Sequence, residues 1–502
     1  MLRKTCERKQ ASGRRFAVAL APFALLLCAP PVPALAEGLI VFGSSDAGGG
    51  TNAYETVIDL ASGHQRTTQI HGQSSDERGY DGQLWNYVNG SRNIIDMPSE
   101  FADRQAERWI NQRAWATFGR PGESTRHVTP PGASAVDLTF DPSTHRVSTA
   151  TIQSDYGPVI VKFSDWRPVG KYVFPFRQER TGDLDGPGVD VAQSVRLVDR
   201  VDPRLLARPA EPILPPLGGA VTVPFKSVGR LKNHTLVSAS INGTPAEFIF
   251  DTGAANILTI DGAKRFGIAS AGGINIGGVG EGTDNGGFGM VDRISIGPAT
   301  LEDQSFIIIP SPFPPTNGKP SDTAGLLGYE FLAHFVTTID YRAETMTFRD
   351  AVAADQRGVR LPFVSDGHAI AVTASVNGKP VSVRFDTGDG GNLSLFPAYV
   401  AASGIDAGTG EIRTNGGGAG GAVKSKAGRV DHFTLAGVDF PNLPAEFSQN
   451  SRGAFASRHL AGNLGAGVIR CFRITFDYRH HQLWLEPQLD TPQCAAAPKP
   501  SA

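Results

Sequence analysis

The triplet Asp-Thr-Gly occurs twice in this chain, each time directly after a short apolar run. The two copies read FIFDTGAANIL (248–258) and VRFDTGDGGNL (383–393). An Asp that follows apolar strand residues places its carboxylate at the end of a buried strand, beside a tight turn. Two carboxylates in contact cannot readily both ionise, so one keeps its proton. If Asp251 and Asp386 meet, they combine a general base and a general acid, which can activate a water and protonate a leaving amine.

The third residue of each triplet is Gly253 or Gly388. Glycine suits a tight turn because it tolerates backbone angles that other residues avoid. The alternative interpretation is a pair of ordinary strand-to-loop turns, since Asp and Gly are both common turn formers. The residues that surround the triplets favour the first interpretation.

The triplets belong to an internal repeat in the second half of the chain. The segments HTLVSASINGTPAEFIFDTGAANILTI and HAIAVTASVNGKPVSVRFDTGDGGNLSLF align, and each carries an Asn-Gly pair, at Asn242 and Asn377, that is typical of a hairpin turn. Each half continues with a short helix, a Gly-rich stretch and a closing hairpin. We therefore expect two β-rich domains, at residues 220–352 and 353–490. Duplicated domains tend to pair about a two-fold axis, which would bring the two Asp residues face to face.

In these features the chain resembles the retropepsin-like aspartic proteases, over residues 220–488. The resemblance rests on the apolar-apolar-Asp-Thr-Gly motif and the Gly-rich segment of both halves, and on a later apolar-apolar-Gly element, LLG at 326–328 in the first copy. It implies a mainly β fold in which two tandem retropepsin-like domains form a pseudo-dimer within one chain. It also implies that Asp251 and Asp386 are the catalytic pair.

The resemblance further implies roles for residues around the pair. Thr252 and Thr387 would cross-link the two active-site loops. The Gly-rich segments 277–289 and 416–421 would fold over the substrate as flaps. The flap glycines are Gly277, Gly278, Gly280, Gly416, Gly417 and Gly418.

Two positions depart from the family pattern, both in the second half. Asp389 follows Asp-Thr-Gly where the family usually has Ala or Ser, as at Ala254 in the first copy. Asn463 opens the element Asn463-Leu464-Gly465, where the family has an apolar residue. A third carboxylate near the pair would disturb how the two share a proton. The second half is therefore either specialised or degraded, and Asp389 either tunes the pair or points to solvent and caps its own loop.

The second half also holds two of the four cysteines, Cys471 and Cys494. An even pair in an exported protein predicts a disulfide that fixes the C-terminal tail, and two free thiols are the alternative. Neither Cys has a paired-ligand spacing. His480 and His481 are adjacent, so in a strand their side chains would point to opposite faces. We therefore expect no metal site and no cofactor.

The first 36 residues have the pattern of a secretory signal peptide. A basic start is followed by an apolar run, interrupted by Pro22 and Pro30, and by a small-x-small site. A membrane anchor is the alternative. The expected location is therefore secreted or periplasmic. This segment holds six of the 47 basic residues and one of the 49 acidic residues. The rest of the chain is acidic on balance, which argues against nucleic acid as a partner.

Residues 38–200 predict a β-rich domain, and the Pro-rich stretch 201–219 predicts a linker after it. The domain contains one helical segment, SEFADRQAERWINQRAWATFG, with Ser99 as its expected N-cap. Two hairpins, in the block FDPSTHRVSTATIQ…FSDWRPVGKYVFPFRQE, carry a resemblance to the lipoprotein-carrier (LolA/LolB-like) half-barrel. That resemblance implies an apolar or lipid ligand in this domain. An unassigned β-rich module is the alternative.

Together these features predict an exported aspartic endopeptidase that acts on peptide or protein substrates, as a monomer with an internal pseudo-dimer. The rival hypothesis is a catalytically inactive periplasmic protein that uses the same domains to bind peptide or lipid. Peptide would bind in both cases, so turnover discriminates between the two hypotheses and binding does not.

Overall fold

The computed structural model describes residues 38–182, 186–229, 233–313, 322–407, 410–490 and 494. The predicted signal peptide lies outside the described residues. Among the described residues, no helix is both long and apolar enough to cross a membrane. The fold is mainly β, as predicted, and its strands form two large sheets.

The first sheet is an antiparallel meander of twelve strands, in the order β6-β5-β4-β3-β2-β1-β12-β11-β10-β9-β8-β7. Helix α1 (Pro98–Arg113) lies between β6 and β7 in the chain. The strands are β1 (Gly38–Ala47), β2 (Gly50–Asp59), β3 (Gln65–His71), β4 (Ser74–Tyr80), β5 (Leu84–Val88), β6 (Ser91–Ile95), β7 (Thr125–Val128), β8 (Val136–Phe140), β9 (Val147–Ser154), β10 (Gly157–Val169), β11 (Tyr172–Thr181) and β12 (Gly188–Val198).

The two hairpins predicted in this region are confirmed, as β8–β9 and β10–β11. The helix is also present, but the expected N-cap is wrong. Helix α1 begins at Pro98, and Met97 precedes it without a side-chain cap, so Ser99 lies within the first turn. Proline fixes φ near the helical value and lacks an N–H that the first turn would leave unbonded, which favours a helix start at Pro98.

Helix α1 packs against the first sheet and closes a cavity with it. Ala106 and Ile110 on the helix belong to one apolar cluster with strand residues such as Leu138 and Phe163. A cavity of about 150 Å³ is lined by this helix and by strands from β1 to β6 and from β9 to β12. Because strands from both parts of the sheet line the same cavity, the sheet must curve around it.

The second sheet contains the predicted repeat, in which ten strands and two helices recur in the same order. The first copy comprises β13 (Val221–Val228), β14 (His234–Ile241), β15 (Thr244–Phe250), β16 (Ile257–Thr259), α2 (Ile260–Arg265), β17 (Ala271–Gly277), β18 (Thr283–Ile296), β19 (Ala299–Ile309), β20 (Gly325–Leu327), α3 (Tyr329–Leu332), β21 (Val336–Asp340) and β22 (Thr345–Arg349). The second comprises β23 (Val359–Asp366), β24 (Ala369–Val376), β25 (Lys379–Phe385), β26 (Leu393–Leu395), α4 (Pro397–Ser403), β27 (Arg413–Gly418), β28 (Gly421–Leu435), β29 (Val438–Ser448), β30 (Gly462–Leu464), α5 (Ala466–Ile469), β31 (Phe472–Asp477) and β32 (Gln482–Pro487).

The Asn-Gly pairs form the hairpin turns that the sequence predicts. They join β14 to β15 and β24 to β25. Asn242 and Asn377 have φ values of 49° and 50°, and the glycines that follow them have 82° and 77°. Two successive residues with positive φ are the requirement of the type I′ turn, whose twist matches that of the paired strands.

The two copies are joined by a sheet of six antiparallel strands, in the order β13-β22-β21-β31-β32-β23. At its centre β21 pairs with its own repeat equivalent, β31, and Thr338 lies opposite Thr475. The hydroxyls of these two threonines are 2.8 Å apart. A pair of equivalent residues at equivalent positions marks a two-fold axis between the copies.

The first sheet docks on the second copy through buried polar contacts. Asp155, which is 3% exposed, accepts hydrogen bonds from Ser457 Oγ at 2.8 Å and from Arg458 N at 2.6 Å. Tyr156 next to it is hydrogen-bonded to Arg384, and that arginine forms a buried ion pair with Asp366 at 2.7 Å. Asp155 has these partners across the contact, so separation of the two sheets would leave its buried charge unpaired, whereas the Arg384–Asp366 pair lies within the second copy.

Cys471 and Cys494 are joined by a disulfide. Both residues are 1% exposed, and Cys471 lies between α5 and β31 at the core of the second copy. The bond therefore attaches the C-terminal tail to the element that precedes the central strand β31. Closure of a loop of this size stabilises the folded state by about 3 kcal/mol in the chain-entropy model.

We expect no reactive thiol in denatured, unreduced protein in which Cys6 and Cys28 are both replaced by Ser. Cys494→Ser in that background should expose one thiol and lower the midpoint of thermal unfolding, because the tail loses its cross-link. Thiol titration and calorimetry measure the two effects, and titration after reduction is the control that should find two thiols. Two reactive thiols without a reductant would contradict the bond.

Candidate active site

The two Asp-Thr-Gly loops follow equivalent strands and are held by equivalent bonds. β15 ends at Phe250 and β25 at Phe385, both fully buried, and Asp251 and Asp386 come next. Each of these strands runs parallel to a short strand of its own copy, β20 or β30. Asp251 N donates to the last carbonyl of β20 at 2.9 Å, and Asp386 N to that of β30 at 3.0 Å. The apolar run therefore fixes each Asp at the same point of its copy.

The side chains of Asp251 and Asp386 are hydrogen-bonded to each other. Gly253 and Gly388 make this contact possible. A Cβ atom on Gly388 would lie 2.2 Å from Asp251 Oδ2, and one on Gly253 would lie 2.9 Å from Asp386 Oδ1. Neither glycine has a positive φ, so the expectation that these turns need unusual backbone angles is wrong. Glycine is required here because any side chain would push the carboxyl groups apart.

Thr252 and Thr387 link the two loops through four buried hydrogen bonds. Thr252 N donates to Thr387 Oγ1 at 3.0 Å, and Thr387 N donates to Thr252 Oγ1 at 3.1 Å. Each hydroxyl in turn donates to the opposite copy, at Phe385 O (2.9 Å) and Phe250 O (3.2 Å). Both threonines are fully buried, so no water can replace these bonds without rearrangement. The cross-link holds the two carboxyl groups in register.

The surroundings of the two carboxyl groups differ. Asp386 accepts from Gly388 N at 2.9 Å, from Asp389 N at 3.0 Å and from Asn463 Nδ2 at 3.1 Å. Apart from its bond with Asp386, the Asp251 side chain accepts from Gly253 N at 2.7 Å. Hydrogen bonds to a carboxylate favour its ionised form. The geometry therefore favours a charged Asp386.

The surroundings of Asp251 favour its protonated form instead. Burial raises the pKa of Asp251 well above its ordinary range, and the negative charge of Asp386 raises this pKa further. We therefore assign the shared proton to Asp251 and the negative charge to Asp386. One group is then ready to donate a proton and the other to accept one.

The two departures from the family pattern form one hydrogen-bonded pair. Asn463 Nδ2 donates to Asp389 Oδ2 at 2.8 Å, as well as to Asp386. The other oxygen of Asp389 accepts from Gly391 N at 2.7 Å. Asp389 is partly buried and bonded within the site, so it does not simply point to solvent. Burial, followed by the charge of Asp386, raises the pKa of Asp389 to about 6.

The loop of the second copy is also longer. Five residues separate Asp251 from β16, whereas six separate Asp386 from β26. Asp389 lies in this longer loop and is hydrogen-bonded to Asn463 on β30. The second half is therefore modified at the site itself, while its strands repeat those of the first half.

The predicted flap segments form two hairpins whose tips meet. β17 and β18 are joined by residues 278–282, and β27 and β28 by residues 419–420. Gly277 ends β17, Gly278 and Gly280 lie in the first tip, and Gly416, Gly417 and Gly418 end β27. Gly280 N donates to Ala419 O at 3.1 Å, and Gly282 N donates to Gly420 O at 2.9 Å. The two hairpins thus contact each other across the pseudo-two-fold axis.

His234 is a site residue to which the sequence assigned no role. A Cβ on Gly390 would lie 2.8 Å from His234 Nε2, which places the imidazole against the loop of the second copy. Burial lowers the pKa of His234, and the charge of Asp386 offsets only part of this effect. The ring is therefore mostly neutral near pH 7. The alignment of His234 with His368 in the repeat was the signal that could have indicated it.

The site contains no constellation for a metal ion. Within the described ranges, no group of three or more His, Cys, Asp or Glu side chains has a geometry suited to a metal. His480 and His481 contact different carboxylates, Asp477 and Asp96. The ionisable groups that the described site brings into direct contact are the carboxyl groups of Asp251 and Asp386.

Two comparisons with known proteins found matches to parts of this chain. Residues 237–331 and residues 372–468 each match the family described as aspartyl protease. A solved structure, the crystal structure of a retropepsin-like aspartic protease from Rickettsia conorii, aligns at 19% sequence identity and a TM-score of 0.20, over 26% of this chain and 89% of that chain. Among curated proteins, none matches the chain.

The two family matches fall on corresponding parts of the repeat. The first runs from β14 into α3 and contains Asp251, and the second runs from β24 into α5 and contains Asp386. Residues 237–331 and 372–468 thus belong to two tandem aspartyl protease domains.

Proposed function

We propose that this protein is an exported aspartic endopeptidase, in which Asp251 and Asp386 activate a water to hydrolyse peptide bonds. The observation that carries the proposal is the buried contact between two carboxyl groups of opposite protonation preference, at equivalent positions of two aspartyl protease domains. Export is supported by the signal-like pattern of residues 1–36 and by a disulfide, which persists in oxidising compartments.

The assignment of the proton gives each residue a role. Asp386, as the carboxylate, accepts a proton from the attacking water while the water oxygen bonds to the scissile carbonyl carbon. Asp251 donates its proton to the carbonyl oxygen, so a neutral tetrahedral diol forms. The proton on Asp386 then passes to the amide nitrogen, the C–N bond breaks, and a hydroxyl proton of the diol returns to Asp251. No covalent intermediate with the enzyme and no cofactor takes part.

The flaps and loops would bind the substrate as an extended strand. A flap strand that pairs with a peptide main chain gives affinity with limited dependence on side chains. Substrates are then peptides or unfolded protein segments. The internal two-fold arrangement supplies both halves of the cleft, so we propose that a monomer is sufficient for activity.

Asp251→Asn and Asp386→Asn should each lower turnover about a thousandfold or more, because each removes a proton-transfer partner. A peptide-library digest followed by mass spectrometry measures this effect. Asp261→Asn is the matched control, since Asp261 is an exposed carboxylate on α2 and its loss should leave cleavage unchanged.

The inactive, peptide-binding alternative predicts a different result from the same digest. If the parent protein binds library peptides without cleaving any of them between pH 3 and pH 8, the protease proposal fails and the binding alternative stands. If the parent cleaves and both Asn variants still bind the same peptides, the proposal holds.

Asp389→Ala should move the alkaline limb of the pH–rate profile to lower pH. Above about pH 6 the carboxylate of Asp389 is charged, and its repulsion helps Asp251 to keep the proton that catalysis needs. Without that charge Asp251 loses its proton at lower pH. Asp389→Asn, which preserves the shape of the side chain, should shift the limb in the same direction, and an unmoved limb in both folded variants would contradict the tuning role.

We propose a ligand for the cavity of the first sheet as well, because that cavity combines apolar and charged walls. Leu39, Ile58 and Trp85 line one part of it, and Arg78 and Glu107 line another. Trp85 Nε1 is buried and has no hydrogen-bond partner among the described residues. A small molecule with an apolar body and a polar end would suit these walls.

Titration of the full chain with decanoate, followed by calorimetry, should show saturable binding in the cavity. Ile58→Trp should weaken this binding, because the larger ring fills the space. Ile268→Val, in the first protease domain and outside the cavity lining, is the control and should bind like the parent. The absence of saturable heat in the parent would contradict this part of the proposal.

A further inference from the structure

The two flap hairpins differ in what holds them. The first flap is the hairpin of β17 and β18 with its tip at 278–282, and the second flap is the hairpin of β27 and β28 with its tip at 419–420. Their tips are hydrogen-bonded to each other, so a peptide can pass between them only if at least one flap moves. The contacts at the base of each flap decide which one moves more easily.

The first flap rests on the N-terminal sheet through a buried amide. Asn52, which is 2% exposed, donates to Gly273 O at 2.7 Å and accepts from Gly273 N at 3.0 Å. This two-way bond occupies both backbone groups of one residue of β17. Neither bond could be lost without leaving buried polar groups unpaired.

The turn between β1 and β2 fits tightly against the same flap strand. Gly48 N donates to Asn275 Oδ1 at 3.1 Å, and Asn275 Nδ2 donates to Pro187 O at 2.6 Å. A Cβ on Gly48 would lie 2.0 Å from Ile274 O, so the backbones touch. The contact therefore leaves no space into which β17 could move.

The second strand of the first flap is held by an aromatic contact. The imidazole of His71, which is 3% exposed, stacks on Phe288 of β18, with ring centroids 3.7 Å apart and planes 17° apart. His71 Nε2 is hydrogen-bonded to Asp76 Oδ2 at 2.5 Å, which fixes the ring on the N-terminal sheet. Both strands of the first flap are thus anchored.

The tip of the first flap is held from the other side, by a loop of the second protease domain. Asn450 Nδ2 donates to Val279 O at 2.8 Å, and Ala454 N donates to Gly278 O at 2.8 Å. Glu281 accepts from both the backbone N and the hydroxyl of Ser451. The first flap is therefore bonded at its base and at its tip to elements outside its own hairpin.

The second flap lacks a counterpart of the N-terminal anchor. Among the described residues, no hydrogen bond joins residues 410–421 to the first sheet. The side chains at 411–414 are exposed, and Ile412 is 58% exposed. The two hairpins do not differ in their own strand pairing, because β17 pairs with β18 alone, β27 pairs with β28 alone, and the register is irregular in both. β27 therefore has the features of a segment that opens locally, whereas β28 is hydrogen-bonded through Lys424 to the loop that contains Gln449 and Asn450.

We infer that Asn52 and His71 of the N-terminal sheet are positioning residues that hold the first flap in place, so that substrate enters by movement of the second flap alone. The inference rests on the proposed function for its consequence in catalysis, but the anchoring itself does not depend on turnover. It gives the N-terminal sheet a part in the protease site that the active-site sequence motifs do not indicate.

The test is amide hydrogen exchange followed by mass spectrometry on the full chain. All proteins carry Asp251→Asn, which prevents self-digestion and leaves the anchors intact. In the parent, peptides from β27 should exchange about tenfold or more faster than those from β17. Asn52→Ala and His71→Ala should each speed exchange in β17 about tenfold, because a buried contact is lost, and should leave β27 unchanged.

Asn93→Ala is the matched control. Asn93 also lies in the N-terminal sheet and donates a 2.7 Å bond to the second copy, at Gly367 O, but that bond is not on a flap. Its loss should leave exchange of both flaps as in the parent. If Asn52→Ala does not fold, Asn275→Ala removes the neighbouring anchor and takes its place. Equal exchange of the two flaps in the parent, or unchanged β17 exchange in both anchor variants, would overturn the inference.

Enzyme kinetics provide a second measurement, on variants that retain Asp251. Asn52→Ala and His71→Ala should raise KM for a peptide substrate more than they change kcat, because a loose flap binds substrate less well while the carboxyl pair is intact. Asn93→Ala should leave both constants near those of the parent. If no variant and no parent cleaves peptide, the proposed function fails, and the exchange experiment still decides the anchoring.

Discussion

Two carboxyl groups in contact away from water repel each other unless one keeps its proton. This constraint shapes the centre of the molecule. The paired copies, the crossed threonines and the absence of side chains at Gly253 and Gly388 all serve to hold Asp251 and Asp386 together. The central sheet, in which Thr338 faces Thr475, maintains the same axis at the base of the two domains.

Symmetry alone would leave the position of the shared proton undecided. The second copy resolves it with a longer loop and one polar pair, Asp389 and Asn463. Asn463 donates to Asp386, so it favours the charge there, while Asp389 adds negative charge that favours the proton on Asp251. Under the proposed function, the two positions that look like loss of the family pattern would therefore act together on one property, the distribution of a single proton.

Sequence reasoning succeeded where the signal is local or repeated. The sequence predicted the Asn-Gly turns, the repeated order of strands and the family of both domains, because each depends on a short pattern that occurs in both copies. It failed where geometry depends on partners far along the chain. Asn463 lies 74 residues from Asp389, and Asn52 lies 221 residues from Gly273, so no pattern indicated either contact. The helix start at Pro98 shows the same limit at short range, because two good start signals stood side by side.

The longer loop of the second copy belongs to a set of differences between the two halves that would affect the direction in which a peptide binds. A peptide has a direction, from its amino to its carboxyl end, and a cleft with identical halves would accept it either way round. In this chain the proton donor belongs to one half and the acceptor to the other, and only one flap rests on the N-terminal sheet. Under the proposed function the cleft therefore has a direction, and the two ends of a bound peptide would meet different walls.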